Sequence, residues 1–230
     1  MKTKSIFTLA IAVFVLLLLS TATTGEMVGI ATSKETLSKT YAGKVYSPYA
    51  QRSFPTFPLW GDSHLHTSLS FDAGGFGNRL DPHVAYRFAR GEEVISSTGQ
   101  PVRLARPLDF LAITDHSDGM GFIDDVLAAL PLVTNYKQGS RWSKGFRAGG
   151  QKAVDTTLEM IQIFSAGKVD PEMFANYSPG SRRFATIWDD VVNNAEEFND
   201  PGRFTAFIAF EWTSLVKGAN LHRNVIFRDN

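Results

Sequence analysis

The chain has 230 residues, 43% hydrophobic and 20% charged, an ordinary globular balance and enough length for one sizeable core. Its 23 basic and 23 acidic residues cancel, so the composition gives no basic footprint and no nucleic-acid partner is expected. Cysteine is absent, which excludes disulfides, a lipid-modified cysteine and thiolate metal ligands.

The N-terminus reads as a processing segment. Lys2 and Lys4 precede a nearly unbroken apolar run over residues 6–19, and Ser20-Thr21-Ala22 offers small residues for cleavage. The run falls short of the roughly 20 apolar residues of a membrane span. Residues 1–24 are expected to be a signal peptide for a secreted or periplasmic protein, with no stable membrane insertion after cleavage; an N-terminal membrane anchor is the alternative. Residues 25–56, rich in Thr, Ser, Gly, Lys and Tyr, read as an extended lead-in, with Phe54, Phe57 and Trp60 expected to pin it down.

Residues 58–66 read as a strand ending in a polar mouth. Asp81 and Pro82 open a helix, since Asp caps well and Pro suits the first helical position, and Gly91 can close it. Residues 108–114 form a compact apolar run of the kind buried parallel strands show. Residues 119–200 are expected to be mainly helical: Val154, Leu158 and Ile161 share one face of a helix stopped by Gly167, and 176–181 is a loop. Ile187, Val191, Val192, Ala195 and Phe198 form a second apolar stripe opposed by Asp189, Asp190, Glu196 and Glu197. Residues 204–210 read as one continuous apolar strand, and Val225 begins another. Strands alternating with helices imply an α/β domain with parallel strands over residues 57–230. The chain stops just after a strand with no capping helix, so the domain is expected to be incomplete at its C-terminus.

Four of the five histidines fall in short polar segments, and three of those segments adjoin apolar runs. His64 and His66 are two apart, so on a strand both imidazoles point to one face and can reach one ion. The bland alternative is a surface pair of histidines. His116 follows the apolar run ending Thr114-Asp115; it can ligate a metal while Asp115 orients a ligand, or the segment can simply be a turn. Asp118 is read as a turn former as readily as a site residue. Glu211 ends an apolar run, where a carboxylate is costly unless it binds a cation or pairs with an arginine such as Arg223. His222 can ligate from the start of a strand or cap a loop, and Arg223 can hold an anionic substrate through its forked guanidinium. Asp72 adds an oxygen ligand or is an ordinary loop carboxylate, and the glycines at 74, 75 and 77 read as flexibility in that loop. His83 is read as structural. Imidazoles and carboxylates without thiols suit manganese, zinc or iron. Such ions activate water and clamp both oxygens of an in-line displacement. Asp115 and Arg223 are the candidate catalytic residues, and His64, His66, Asp72, His116, Glu211 and His222 the candidate metal ligands.

These segments resemble the PHP (polymerase and histidinol phosphatase) superfamily. His64-Leu65-His66 matches its first motif, Thr114-Asp115-His116 its second, Glu211 its strand-end glutamate and His222 a following ligand. The strings around Trp60 to Thr67, Phe210 to Thr213 and Leu221 to Val225 are similar to one branch, domain-of-unknown-function family 3604. The resemblance implies a distorted (β/α)7 barrel, with the 119–200 helices as an insertion. It also implies two or three divalent transition metals and hydrolysis of a small anionic phosphoester. A sulfate-ester or amide hydrolase on the same metals, or a catalytically degenerate envelope protein that binds metal or ligand, are the other expectations. The family's later ligands, a further His and a final Asp-x-His, have no counterpart in this chain. Oligomeric state is open.

Overall fold

The computed structural model describes residues 57–214 and 221–228. The expected signal peptide, the lead-in and Phe54 lie outside the described residues. No helix among the described residues is long and apolar enough to cross a membrane.

The elements run in the order β1 (Gly61–Leu65), α1 (Phe71–Gly75), α2 (Pro82–Ala89), β2 (Val94–Ile95), β3 (Pro101–Val102) and β4 (Phe110–Ile113). The helices α3 (Phe122–Leu127), α4 (Pro131–Thr134), α5 (Lys137–Ala148), α6 (Gly150–Ser165) and α7 (Pro171–Phe174) follow. A 3-10 turn (Ala175–Tyr177), α8 (Arg182–Phe198), β5 (Thr205–Phe207), β6 (Ala209–Ser214) and β7 (Leu221–Ile226) complete the series.

The α/β character expected from the sequence is present, but the described residues form no closed barrel. The strands form a parallel sheet in the order β1-β4-β5 and two antiparallel pairs, β2-β3 and β6-β7. The apolar run at 204–210 is not one strand. As far as Phe207 the chain pairs with β4, and from Ala209 it pairs with β7, so the ladder partner changes at Ile208. The Ile208 carbonyl is satisfied instead by Phe227 N–H at 2.9 Å. β7 likewise starts at Leu221, four residues before Val225.

Local chemistry explains the helix boundaries. Asp81 Oδ1 accepts from Val84 N at 2.8 Å with Pro82 in the first turn, and Gly91, at φ +83°, follows the end of α2. Ser181 Oγ accepts from Phe184 N at 3.1 Å and starts α8. The α8 stripe packs as expected: Ala195 and Phe198 join Leu111, Ile113, Tyr86 and Phe204 between α8, α2 and the parallel sheet.

The helices α3 to α7 form a second core around Phe122, Trp142, Met160, Met173 and Tyr177, all buried. The expected apolar face of α6 is a correction. Val154 and Leu158 are 44% and 47% exposed, whereas Thr156, Thr157 and Met160 point inward. The inward side is the one that meets α5 closely: a Cβ on Gly145 would overlap the Thr156 side chain, so a small α5 residue and a short hydroxyl residue of α6 face each other. Phe57 and Trp60, 64% and 59% exposed, do not act as buried pins.

Candidate metal centre

The C-terminal ends of the parallel strands converge. Thr114 N donates to Leu65 O at 2.8 Å, so the segment after β4 stays beside the end of β1. His116 then bridges in parallel register to Glu211, with Glu211 N donating to Asp115 O at 3.0 Å and Ser117 N to Glu211 O at 2.8 Å. Strand alternation does the rest: Ala209, Glu211 and Thr213 are buried on one face of β6, while Trp212 is exposed on the other. In the β6-β7 ladder Thr213 lies opposite His222.

The outcome is a carboxylate surrounded by imidazoles. Glu211, 2% exposed, has Oε2 at 2.9 Å from His66 Nε2, 3.5 Å from His64 Nε2 and 3.5 Å from His116 Nδ1; its Oε1 lies 3.1 Å from His222 Nδ1. Asp72 spans two of the same rings, with Oδ1 at 3.0 Å from His66 Nδ1 and Oδ2 at 3.5 Å from His116 Nε2. Three overlapping groups have ligand atoms within 4.8 Å of one another: His64-His66-Glu211, His66-Asp72-His116 and His116-Glu211-His222. Each pair of groups shares one residue. All six candidate ligands are therefore brought together, and none of the groups contains His83, which sits 3.8 Å from Glu197 instead.

The donor set fits a metal ion. His66 Nε2 and Glu211 Oε2 are both buried and make no hydrogen bond, although they are 2.9 Å apart. Two ligands on one ion, each at about 2.0–2.2 Å from it, lie about 3 Å from one another. Buried polar atoms are normally satisfied, so this orphaned pair is what a cation between them would complete. These groups can hold a metal; its type is not specified by the geometry.

Electrostatics follow the same layout. Burial works against a charged His66, yet its hydrogen bond to Asp72 and the fields of Asp72, Glu211 and Asp115 raise its pKa above the ordinary value. Burial likewise opposes ionisation of Asp72, but hydrogen bonds with His116, His66 and Ser70 hold its carboxyl far below the usual carboxylate range.

Asp115 supports the site from beneath. Its carboxylate accepts from Thr67 N at 2.5 Å and from Thr67 Oγ1 at 2.6 Å, fixing the turn that follows His66, and touches no imidazole. Burial pushes it up to about 6 against the pull of those two bonds. Asp118 accepts from Thr213 N at 3.1 Å and is a structural tie. Arg223 pairs with Trp212 in the ladder, so it leaves the sheet on the face opposite Glu211, and its guanidinium donates to His222 O at 2.8 Å. Among the described residues it forms no ion pair with Glu211, whose partners are imidazoles. The glycines after Asp72 are also not a flexible loop: Gly74 and Gly75 are buried in α1, and a Cβ on Gly74 would sit 2.5 Å from Ser68 O.

Two hydroxyls were missed by sequence reasoning. Ser70 Oγ donates to Asp72 Oδ1 at 2.6 Å, lies 3.2 Å from His66 Nδ1 and accepts from His116 N at 3.1 Å. Thr213 Oγ1 lies 2.8 Å from His116 Nδ1 and 3.2 Å from His222 Nδ1. The only hint of Thr213 in the sequence is its i+2 spacing from Glu211, which places both on one face of a strand.

A family model described as protein of unknown function (DUF3604) matches residues 53–230, well over half of the chain. The chain belongs to the DUF3604 family. The match takes in every residue of the cluster from His64 to His222. Neither a curated protein nor a solved structure matches the sequence. For this DUF3604 chain, function is therefore argued from the site itself.

Proposed function

We propose that this cluster is the centre of a metal-dependent hydrolase acting on a small anionic ester, with a phosphoester as the substrate class. The observation that carries the reading is the linked set of three ligand groups around the orphaned Glu211 Oε2 and His66 Nε2. We extend it to two or three divalent transition ions, Mn, Zn or Fe, and to membership of the PHP superfamily with its distorted (β/α)7 barrel. The order His-x-His, Thr-Asp-His, Glu, His and the convergence of parallel strand ends support that extension. The secreted or periplasmic location belongs to the same proposal.

Ions bound there would lower the pKa of a ligated water and offset charge on the attacking and leaving oxygens. The protein's own groups have separable tasks. Glu211 joins two ligand groups, and Asp72 joins His66 to His116. Ser70 and Thr213 fix ring orientations, and Asp115 fixes the backbone after His66. His64 and His222, with side chains 56% and 37% exposed, mark the open side through which an ester enters. His66 and His116, 15% and 14% exposed, form the closed floor.

The test is elemental mass spectrometry of the purified chain and of His66→Ala, followed by assay of both on chromogenic phospho- and sulfoesters. Near-stoichiometric transition metal and phosphoester turnover, both lost in the variant, are expected. Equal metal content in both proteins, or a loaded protein that turns over no phosphoester, would refute the proposal.

A further inference from the structure

The 23 cations and 23 anions of the chain are not evenly spread. Residues 126–154 contain Lys137, Arg141, Lys144, Arg147 and Lys152 and not one carboxylate. On α5, Lys137, Arg141 and Lys144 stand at i, i+4 and i+7 and so share one face of the helix. That face borders an open cleft of about 540 Å³ that Lys152 of α6, Thr134 and Asn135 also line. Ser140 adds a hydroxyl to the same wall. The volume falls in the range of small-ligand sites.

Of the four cations lining this cleft, one is paired locally and three are not. Arg141 pairs with Glu159, which also accepts from Trp142 Nε1 at 3.2 Å, so that carboxylate is already engaged. Asp155 accepts from Gln151 at 3.0 Å. Among the described residues, Lys137, Lys144 and Lys152 form no ion pair. Three ammonium groups around one concavity repel one another, and a multiply charged anion removes that repulsion while receiving their N–H donors.

We propose that the cleft between α5 and α6 is a second binding site, for a compact polyanion carrying two or more phosphate or sulfate groups. The proposal does not depend on the metal reading of the His-Glu cluster: none of the cleft residues belongs to the ligand groups. Lysines suit phosphate or sulfate as point charges, and their flexible stems adapt to more than one spacing of anionic groups. A ligand with a single anionic group can meet only part of the array, so valency is the property the site reads.

The experiment is calorimetric titration of the full chain, stripped with EDTA, using tripolyphosphate, orthophosphate and sucrose octasulfate at low ionic strength. At least one polyanion should bind saturably and about tenfold or more tighter than orthophosphate. Comparison of tripolyphosphate with sucrose octasulfate tells phosphate from sulfate as the preferred group. The double variant Lys144→Gln/Lys152→Gln should weaken that binding by at least about tenfold, while its thermal midpoint stays unchanged because both side chains are exposed. Lys137→Gln is the independent second variant and should weaken it too. His66→Ala should bind the polyanion as the parent does, which separates this site from the metal centre. Polyanion affinity no better than about 1 mM, or binding undiminished in both lysine variants, would overturn the proposal.

Discussion

Arg183→Met should cost the domain about 3 kcal/mol. The Asp125 side chain is 3% exposed and accepts from Arg183 Nε at 2.8 Å, Arg183 NH2 at 2.6 Å and Tyr177 Oη at 2.7 Å. Removing one partner of a buried ion pair typically costs about 3–5 kcal/mol, because the other charge is left uncompensated. The low end applies here: Tyr177 still donates, and the guanidinium is 33% exposed, so water already screens part of the attraction. For a domain of this size a 3 kcal/mol loss lowers the thermal midpoint by about 6–12 °C. The double variant Arg183→Met/Asp125→Asn should lose less than Arg183→Met alone, since no buried charge remains. Urea unfolding of the parent, both single variants and the double variant, at neutral pH, measures all of this. A loss below about 1 kcal/mol for Arg183→Met would show a solvated surface contact and refute the argument. The consequence reaches the site, because α3 carries Asp125 and also packs Ile123 against Gly74 of α1, the helix that presents Asp72.

Thr213→Val keeps shape and loses the hydroxyl that touches His116 and His222, so metal affinity should fall about 10–100-fold with little change in unfolding, and Thr213→Ser should restore it; competition with a chelating dye reads the difference. In EDTA, Asp115 should tilt the stability curve. Its folded value, about 6, lies above the unfolded one, so the folded state binds more protons in between and stability falls as pH rises through that window. Asp115→Asn can still accept from Thr67 N and can donate from Nδ2 to Thr67 Oγ1, and should flatten that part of the curve; an unchanged slope in urea titrations at several pH values would contradict it. Gly139→Ala should destabilise by about 1–3 kcal/mol despite the better helix propensity of Ala, because its Cβ would overlap the Val133 carbonyl, which cannot rotate away; a neutral midpoint would show that α4 can shift.

What the sequence makes legible follows from which signals are local. Capping and periodicity are local, and Asp81 and the α8 stripe lie where those rules put them. Five of the six candidate ligands were legible because polar residues at the ends of apolar strands have few other reasons to be there, and Asp72 was legible only as a nearby loop carboxylate. Three features were not legible. The break at Ile208 depends on which strand lies alongside, a long-range fact that an apolar run does not encode. Arg223 adjoins His222 in sequence, but a two-residue period sends neighbours to opposite faces, so the face it occupies follows from the β6-β7 register and not from its chemistry. On α6 the apolar period chose Val154 and Leu158, whereas close approach to Gly145 favoured the threonine face. Ser70 and Thr213 carry no distinguishing signal because hydroxyl residues are common in turns and strands alike.

The same cluster can be held together by protons or by metal, and the two make different demands on the ring nitrogens. A protonated imidazole would aim an N–H along the lone-pair direction of Glu211. Instead Oε2 lies within 3.5 Å of three ring nitrogens and forms no hydrogen bond with any of them. Lone pairs converging without a donor suit a cation. Metal and proton must then compete, because a ligating imidazole has to be neutral. Burial opposes the charged ring, but the Asp72 hydrogen bond and the surrounding carboxylates raise the His66 pKa, so protons compete with metal for this ring to higher pH than for an ordinary histidine. Metal affinity should therefore keep climbing as pH rises past the ordinary histidine range. In Asp72→Asn the proton on His66 is less favoured, so the climb should end at lower pH even though one oxygen ligand is weakened. Calorimetry in buffers of different ionisation enthalpy counts the released protons. A metal affinity that levels off within the ordinary histidine range would mean that the contacts of His66 with Asp72 and Glu211 do not act as described.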